Sequence, residues 1–513
     1  MKKKINHILP ALVLTASLGL TTVSCNGFLD EMPDNRTELN TDQKIAKLLV
    51  SAYADVSPNE LFELYSDNSD DSGPTYGYYK LSEQECYHWQ DTKEEYQDTP
   101  NSLWGGYYSA IAAANMALNA IEEKGNPASL DPQRGEALVC RAYCHFMLAN
   151  IFCNAYDTHA SQSLGVPYME EVETTVSPRY ERGTLEEVYR KVERDLLEGI
   201  DLISDDSYSV PKYHFTRKAA YAFAARFYLY YMKPDFSNCD RVIDFATRVL
   251  GTNPADLLRN WEALGNLSVN GNVQADAYIA SSNEANLLIS STVSNWGAIG
   301  SDYLIGPRYF HNQTLATSET CLSSGLWGSS DYFYLKPFST NGFVASILRK
   351  SGLYEGTYLY YMPVLFSTDE TLLCRAEAYA LKKMYAQSAA DITSWQRAYT
   401  RNKSVLTPEQ INTYYDRMSF YTPFTQQTPK KKLAPDFMIE EGMQENFIHC
   451  ILHIRRITTL HEGMRWPDIK RYGILIYRRD MANQRVTDEM PPNDLRYAIQ
   501  IPRSVIVAGI QPN

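Results

Sequence analysis

The eight cysteines beyond residue 25 are scattered through the chain without one CxxC pair, so the sequence offers neither a disulfide scaffold nor a structural zinc site. It also lacks a GxSxG elbow, an HExxH zinc helix and a P-loop, three signatures that would point to catalysis or nucleotide binding. Outside the N-terminal stretch no run of 18 apolar residues occurs, so no membrane helix is expected. Basic residues are outnumbered by acids, 48 to 61, and the net charge of −13 disfavours a general nucleic-acid binder. A glycoside hydrolase would need two carboxylates about 5 to 10 Å apart. With 61 acids candidate pairs are plentiful, and separation along the chain does not measure that distance.

What is present describes a folded globular chain: 513 residues, 44% hydrophobic and 21% charged. The length would allow three domains at about 150 residues each, or one long helical-repeat body. At the start, Lys2, Lys3 and Lys4 precede an apolar run from Ile8 to Leu20, then Thr21-Thr22-Val23-Ser24 and Cys25. Residues 1–24 therefore read as a secretory signal. A cysteine placed directly after small residues resembles the lipobox of bacterial lipoproteins, in which it is diacylated and becomes the mature N-terminus. Thr22 departs from that pattern, which prefers an aliphatic residue, and cleavage to a free secreted protein is the alternative. Acyl chains on Cys25 would tether the body to a bilayer without a membrane helix. Asp30, Glu31 and Asp34 resemble the surface-export signal of Bacteroidetes lipoproteins, a resemblance that would face the body outward from the outer membrane.

From about residue 100 to 250 the pattern is helical. Trp104, Tyr107, Tyr108, Ile111, Ala114, Leu118 and Ile121 recur at three- and four-residue steps until Gly125-Asn126-Pro127 stops the run. Asp131-Pro132 opens a second helix, and Thr184 with Glu187 forms a capping box for a third. Thr216 caps a fourth, whose Ala219, Ala220, Ala222, Ala224 and Ala225 let a neighbour approach closely. Such pairs suggest a tetratricopeptide-like scaffold with degenerate repeats. Residues 252–345, rich in Gly, Ser, Asn, Thr and aromatics, read as loops and short strands, including Ala277-Tyr278-Ile279 and Asn286 to Ile289. Ser367 and Glu370 predict a further capped helix, followed by one over about 388–400 and a last helical block over about 440–473.

The segment Asp67 to Gly73 invites a calcium reading but fails EF-hand spacing, since Gly73 falls at loop position seven and Tyr78 stands where the bidentate Glu belongs. It reads as a solvated acidic loop. Lys430-Lys431-Lys432 reads as an exposed charge run, and Cys140 and Cys144 as helix-buried thiols.

Several of these stretches carry a family resemblance. His461-Glu462-Gly463-Met464-Arg465-Trp466-Pro467-Asp468-Ile469-Lys470-Arg471-Tyr472-Gly473 resembles the "EGxRWxDLKRWG" helix end of SusD/RagB outer-membrane nutrient-uptake lipoproteins. Arg141-Ala142-Tyr143 with Val166-Pro167, Thr216 to Ala220 and Arg375-Ala376-Glu377-Ala378 fall in that family's order. Ile454 to Leu460 departs from the family's "ERxxEL" helix and is expected to weaken the local charge network. The resemblance spans nearly the whole mature sequence. It implies a mostly α, SusD-like body over 25–513, with tetratricopeptide-like helix pairs at about 100–250 and 367–475. These support an irregular, loop-rich ligand-binding face at about 252–345. It also implies a partner, a TonB-dependent outer-membrane transporter of the SusC type, with oligosaccharide or polysaccharide as cargo, and no catalysis, metal or cofactor.

A sugar site needs flat rings for C–H faces and polar groups for hydroxyl edges. The 38 tyrosines against 18 phenylalanines supply rings suited to a wet surface. In the loop-like regions where the family places its ligand platform, the expected contacts are Trp89, Trp296, Trp327, Tyr78, Asn295 and Tyr332, near Tyr76, Tyr79, Asp302, Tyr303 and Asp331. Trp104, Trp261, Trp395 and Trp466 are expected to be packing residues. A surface protein- or peptide-binding helical-repeat module without glycan binding is the alternative reading.

Overall fold

Helix Pro100–Glu123 begins where Pro100 needs no N–H partner and ends where Gly125 and Asn126 turn through left-handed backbone at φ +80° and +51°. In the computed structural model the described residues are 39–76, 79–175, 179–268, 273–296, 308–335, 354–355 and 358–513, backbone alone at 354, 355, 358 and 359. Cys25, Tyr78, Asp302 and Tyr303 lie outside them.

The expected helices form. Asp131–Phe152 follows Pro100–Glu123, and Leu185–Leu202 starts from Thr184 and Glu187 in a reciprocal capping box. Arg217–Tyr230 is capped by Thr216, and Thr368–Leu381 by Ser367. Tyr385–Tyr399, Met443–Thr458 and Arg465–Tyr472 complete the later block. Asn286–Ile289 is a strand, as its apolar run predicts. Ala277-Tyr278-Ile279, read as a short strand, instead ends helix Val273–Ile279, because only Gln274, Ala275 and Tyr278 turn inward, at helical spacing. Asn40–Asn513 form one compact unit. No helix among the described residues is long and apolar enough to cross a membrane.

Close packing explains the small residues. A Cβ on Gly135 would come within 2.8 Å of the Gly199 carbonyl oxygen, and one on Gly199 within 2.6 Å of Val139, so two helices cross backbone to backbone there. The alanines of Arg217–Tyr230 are at most 1% exposed. Around them Tyr143, Phe146, Phe223 and Phe366 pack with ring centroids 5.5 to 5.8 Å apart. Trp104, Trp261, Trp395 and Trp466 are all packing residues, 8% exposed or less.

Two buried charge networks run through this core. Glu377 meets Arg455, Arg471 and the Tyr472 hydroxyl, while Asp468 meets the same two arginines. Asp67 meets Arg465, Arg456 and Lys431, and Glu319 meets Lys431 and Arg456. Three expectations change as a result. Lys430 and Lys431 are 5% exposed rather than solvated, because carboxylates and carbonyls meet them inside. The start of the acidic loop, Asp67 to Asp70, is buried for the same reason. Arg455 and Arg456 do not weaken the charge network; they are central to it, drawing acids from residues far away in the chain.

Candidate functional site

A four-stranded sheet brings together segments more than 400 residues apart. Its order is Tyr309–Phe310, Asp70–Asp71, Ile476–Asp480, Arg485–Met490, and Asp71 faces Tyr309 in antiparallel register and Asp480 in parallel register. Alternation along a strand sends Asp70 and Asp71 to opposite faces. Asp70 is buried and holds Arg479 with two bonds, one of 3.0 Å and one of 2.5 Å. Asp71 stays half-buried and holds Arg308 in a bidentate pair, both bonds 2.7 Å. That fork fixes a guanidinium plane at the surface.

Arg308 lies over two rings, 5.1 Å from the centroid of Tyr79 and 5.0 Å from that of Tyr309. Tyr309 is buried, stacked on Tyr87 at 4.7 Å, and meets Tyr79 edge to face at 5.7 Å. Tyr79 itself is 39% exposed. Tyr76 and Phe310, both half-buried, pair at 6.2 Å on the neighbouring position. The result is a rigid aromatic patch with one open ring, a fixed cation and a carboxylate. Such a surface can stack on an apolar ligand face and hydrogen-bond to its edges.

Trp89 supports this patch from inside. It follows helix Leu81–Tyr87 at φ +55°, a left-handed position where glycine or asparagine is usual. What holds it there is packing: the ring is 6% exposed, and its indole N–H donates to the Tyr65 carbonyl at 2.9 Å. The Arg478 guanidinium lies 4.0 Å from its centroid and 4.3 Å from that of Tyr87, so it is layered between the two rings. Trp89 also lines a cleft of about 330 Å³ with Leu495 and Arg496.

The other expected contacts lie apart from it. Trp296 is 4% exposed, packed with Ala316, Cys321, Tyr361 and Leu460, and donates to the His461 carbonyl at 2.9 Å. Its neighbour Asn295 is half-exposed; its N–H donates to Asp98 at 2.8 Å, and its side chain accepts from Gln97. Asp98 sits beside Glu60, and burial pushes both carboxyls above their usual range, with Asp98 adding to the rise at Glu60. Trp327 is 1% exposed among Phe333, Trp395 and His453. Tyr332 is 43% exposed and lies over Gly328. No ring contact or hydrogen bond directly joins these three groups among the described residues. Sequence reasoning named Tyr76 and Tyr79 only as neighbours and missed Arg308, Tyr309 and Phe310. Their one local signal was an aromatic pair beside an arginine.

Comparison with known proteins bears on this arrangement. Residues 27–229 match the SusD-like family model described as starch-binding associating with outer membrane. No curated protein matches the chain. A SusD superfamily protein from Bacteroides fragilis is similar in structure with a TM-score of 0.64, at 15% identity, covering 92% of this chain and 98% of its own. A SusD-like carbohydrate binding protein from Bacteroides vulgatus has a TM-score of 0.63 at 14% identity, covering 91% and 96%. A protein described as a putative sugar binding protein from Bacteroides vulgatus has a TM-score of 0.55 at 21% identity, covering 93% and 99%.

Proposed function

Because residues 27–229 match the SusD-like family model and the fold is that of SusD superfamily structures, we propose that this chain is a cell-surface glycan-binding lipoprotein that captures oligosaccharide and delivers it to a TonB-dependent outer-membrane transporter. The observation that carries the binding half is the Tyr79–Arg308–Asp71 patch: an open tyrosine ring beside a guanidinium fixed by two bonds of 2.7 Å. A pyranose laid on Tyr79 would leave its hydroxyls within reach of the arginine and the carboxylate. Tyr332 and Asn295, both open to solvent, and Tyr78, next to Tyr79 in the chain, are assigned as further contacts. Trp89, Trp296 and Trp327 contribute by holding the loops that carry them, with Trp89 also presenting an edge to its cleft.

Binding without turnover is the chemistry assigned, and no residue is given a catalytic role. In this reading Cys25 carries the lipid anchor and the body sits at the cell surface, and the matched family's description as associating with the outer membrane supports it. Screening residues 26–513 against plant, host-mucin, N-glycan and microbial polysaccharides on an array tests the reading. One bound class, unhydrolysed, supports it. Silence across the array, with retained association with the transporter, supports the peptide- or protein-binding alternative instead.

A further inference from the structure

A cleft of about 530 Å³ opens between residues 50–55, the start of helix Pro100–Glu123, the Tyr213–His214 turn and residues 289–291. It is larger than the cleft at Trp89 and shares no lining residue with the Tyr79 patch. Its volume lies in the range of small-ligand sites, about 300 to 1,000 Å³. The helix gives it a flat floor, since Gly106, Ser109 and Ala110 project almost nothing into it.

His214 is held in this cleft with unusual firmness. Its Nδ1 is 2.7 Å from Oε1 of Glu136, a carboxylate that is 3% exposed. The Tyr53 hydroxyl donates to the same oxygen at 2.7 Å and accepts the Phe215 N–H at 2.7 Å. The imidazole stacks on Tyr208 with centroids 4.6 Å apart and meets Tyr53 edge to face at 5.8 Å. With Nδ1 taken, Nε2 is the polar atom left over, and it has no hydrogen-bond partner among the described residues. A buried carboxylate orienting an imidazole whose far nitrogen is unused is how proteins prepare a polar group for a ligand.

The rest of the lining matches one ligand chemistry. Tyr213 is 37% exposed and contacts no other ring among the described residues, so a face is open for stacking. The side chains of Ser51, Ser109 and Asp55 likewise have no partner there, which leaves hydroxyls and a carboxylate to meet ligand hydroxyls. Glu136 and Asp55 together disfavour an anionic guest. We infer that this cleft is a second saccharide subsite, which takes a segment of neutral oligosaccharide with a sugar face on Tyr213 and hydroxyls on His214, Asp55 and Ser109. The inference rests on the glycan-binding reading above and adds a separate place where glycan binds. The cleft also adjoins the Asn295 loop, since the N–H of Val293, two residues before Asn295, donates to the Asp55 carbonyl at 2.7 Å.

The test titrates the mature protein with maltoheptaose, cellohexaose, xylohexaose, mannohexaose and chitohexaose, and follows amide hydrogen exchange in the complex. For a probe that binds, exchange slows at residues 50–55 and 211–215 as well as around Tyr79. Ser109→Trp, which plugs the floor from an exposed helix position, and Tyr213→Ala each abolish the protection at 50–55 and 211–215 and weaken that site about tenfold or more. Protection around Tyr79 persists in both variants. Protection confined to the Tyr79 patch, or a Ser109→Trp protein identical to the parent, overturns the cleft alone. A parent protein that binds none of the probes overturns the cleft and the glycan-binding reading together.

Discussion

Arg465 reaches across 398 residues of sequence to hold Asp67 in a bidentate pair, with bonds of 2.7 and 2.9 Å, both partners buried. The contact joins the helix end that carries the family resemblance to the loop leading into the aromatic patch. Asp67 also serves Arg456 and Lys431, which Glu319 meets as well, so two carboxylates face three cations. Those cations outweigh its burial and hold its carboxyl well below the usual range. Asp67→Asn should therefore leave buried Arg465 without its carboxylate, with Glu319 alone remaining for Lys431 and Arg456, and cost about 3–5 kcal/mol, read by chemical denaturation. A loss under 1 kcal/mol would mean that the network is not what closes the chain.

Trp89→Ala should destabilise the protein by about 3–5 kcal/mol, since it removes a buried indole, its bond to Tyr65 and the layer over Arg478. Tyr79→Ala, at an exposed ring, should cost under about 1 kcal/mol while weakening glycan binding. Thermal melts of both variants separate support from contact. A Trp89→Ala protein as stable as the parent would make Trp89 a ligand surface after all.

Gly199→Val should be severe although glycine is ordinarily a weak helix residue. A side chain there meets the Gly135 carbonyl oxygen at 2.8 Å as well as Val139, and backbone cannot move aside as a flexible side chain can. The expected loss is about 1–3 kcal/mol or more, read as a lower denaturation midpoint. An unchanged midpoint would show that the two helices part easily.

Stability should also fall between about pH 4.5 and 7. Burial raises the Glu63 carboxyl to about 7, against the bonds it accepts from Asn68 and Gly463. The folded protein thus keeps a proton that the unfolded chain has lost. The resulting stabilisation is complete below pH 4.5 and disappears as pH rises through 7, a change of about 3 kcal/mol. Glu319 and Glu377 act oppositely: paired cations outweigh burial and hold them at about 2, so their stabilisation exists above pH 4.5 and is lost as pH falls toward 2. Denaturation midpoints across pH for the parent and Glu63→Gln check the first limb, which should flatten in the variant. Equal slopes would remove Glu63 as its cause.

Much of the helical scaffold was legible because its signals are local. Thr184 with Glu187, Thr216 and Ser367 cap helices using atoms within a few residues of one another, and alanine runs announce close packing wherever the partner lies. The charge networks and the site were not legible in the same way. Lys431 resembles a surface lysine until Asp67 and Glu319 are brought to it from elsewhere. Trp89 and Trp327 stand in loop-like sequence yet lie inside, because burial of a loop residue depends on what the rest of the chain folds over it. Arg308 acquires meaning only through Asp71, its partner 237 residues earlier across a two-residue strand pairing.

The central claim is that this protein binds glycan on the Tyr79–Arg308 surface without cleaving it. Calorimetric titration of the soluble body with the glycan class selected on the array tests it most directly, with the same glycan recovered and sized afterwards. The account predicts saturable binding, intact glycan, and affinity reduced about tenfold in Tyr79→Ala with unaltered folding. Shortened glycan, or a Tyr79→Ala protein that binds as the parent does, would contradict it.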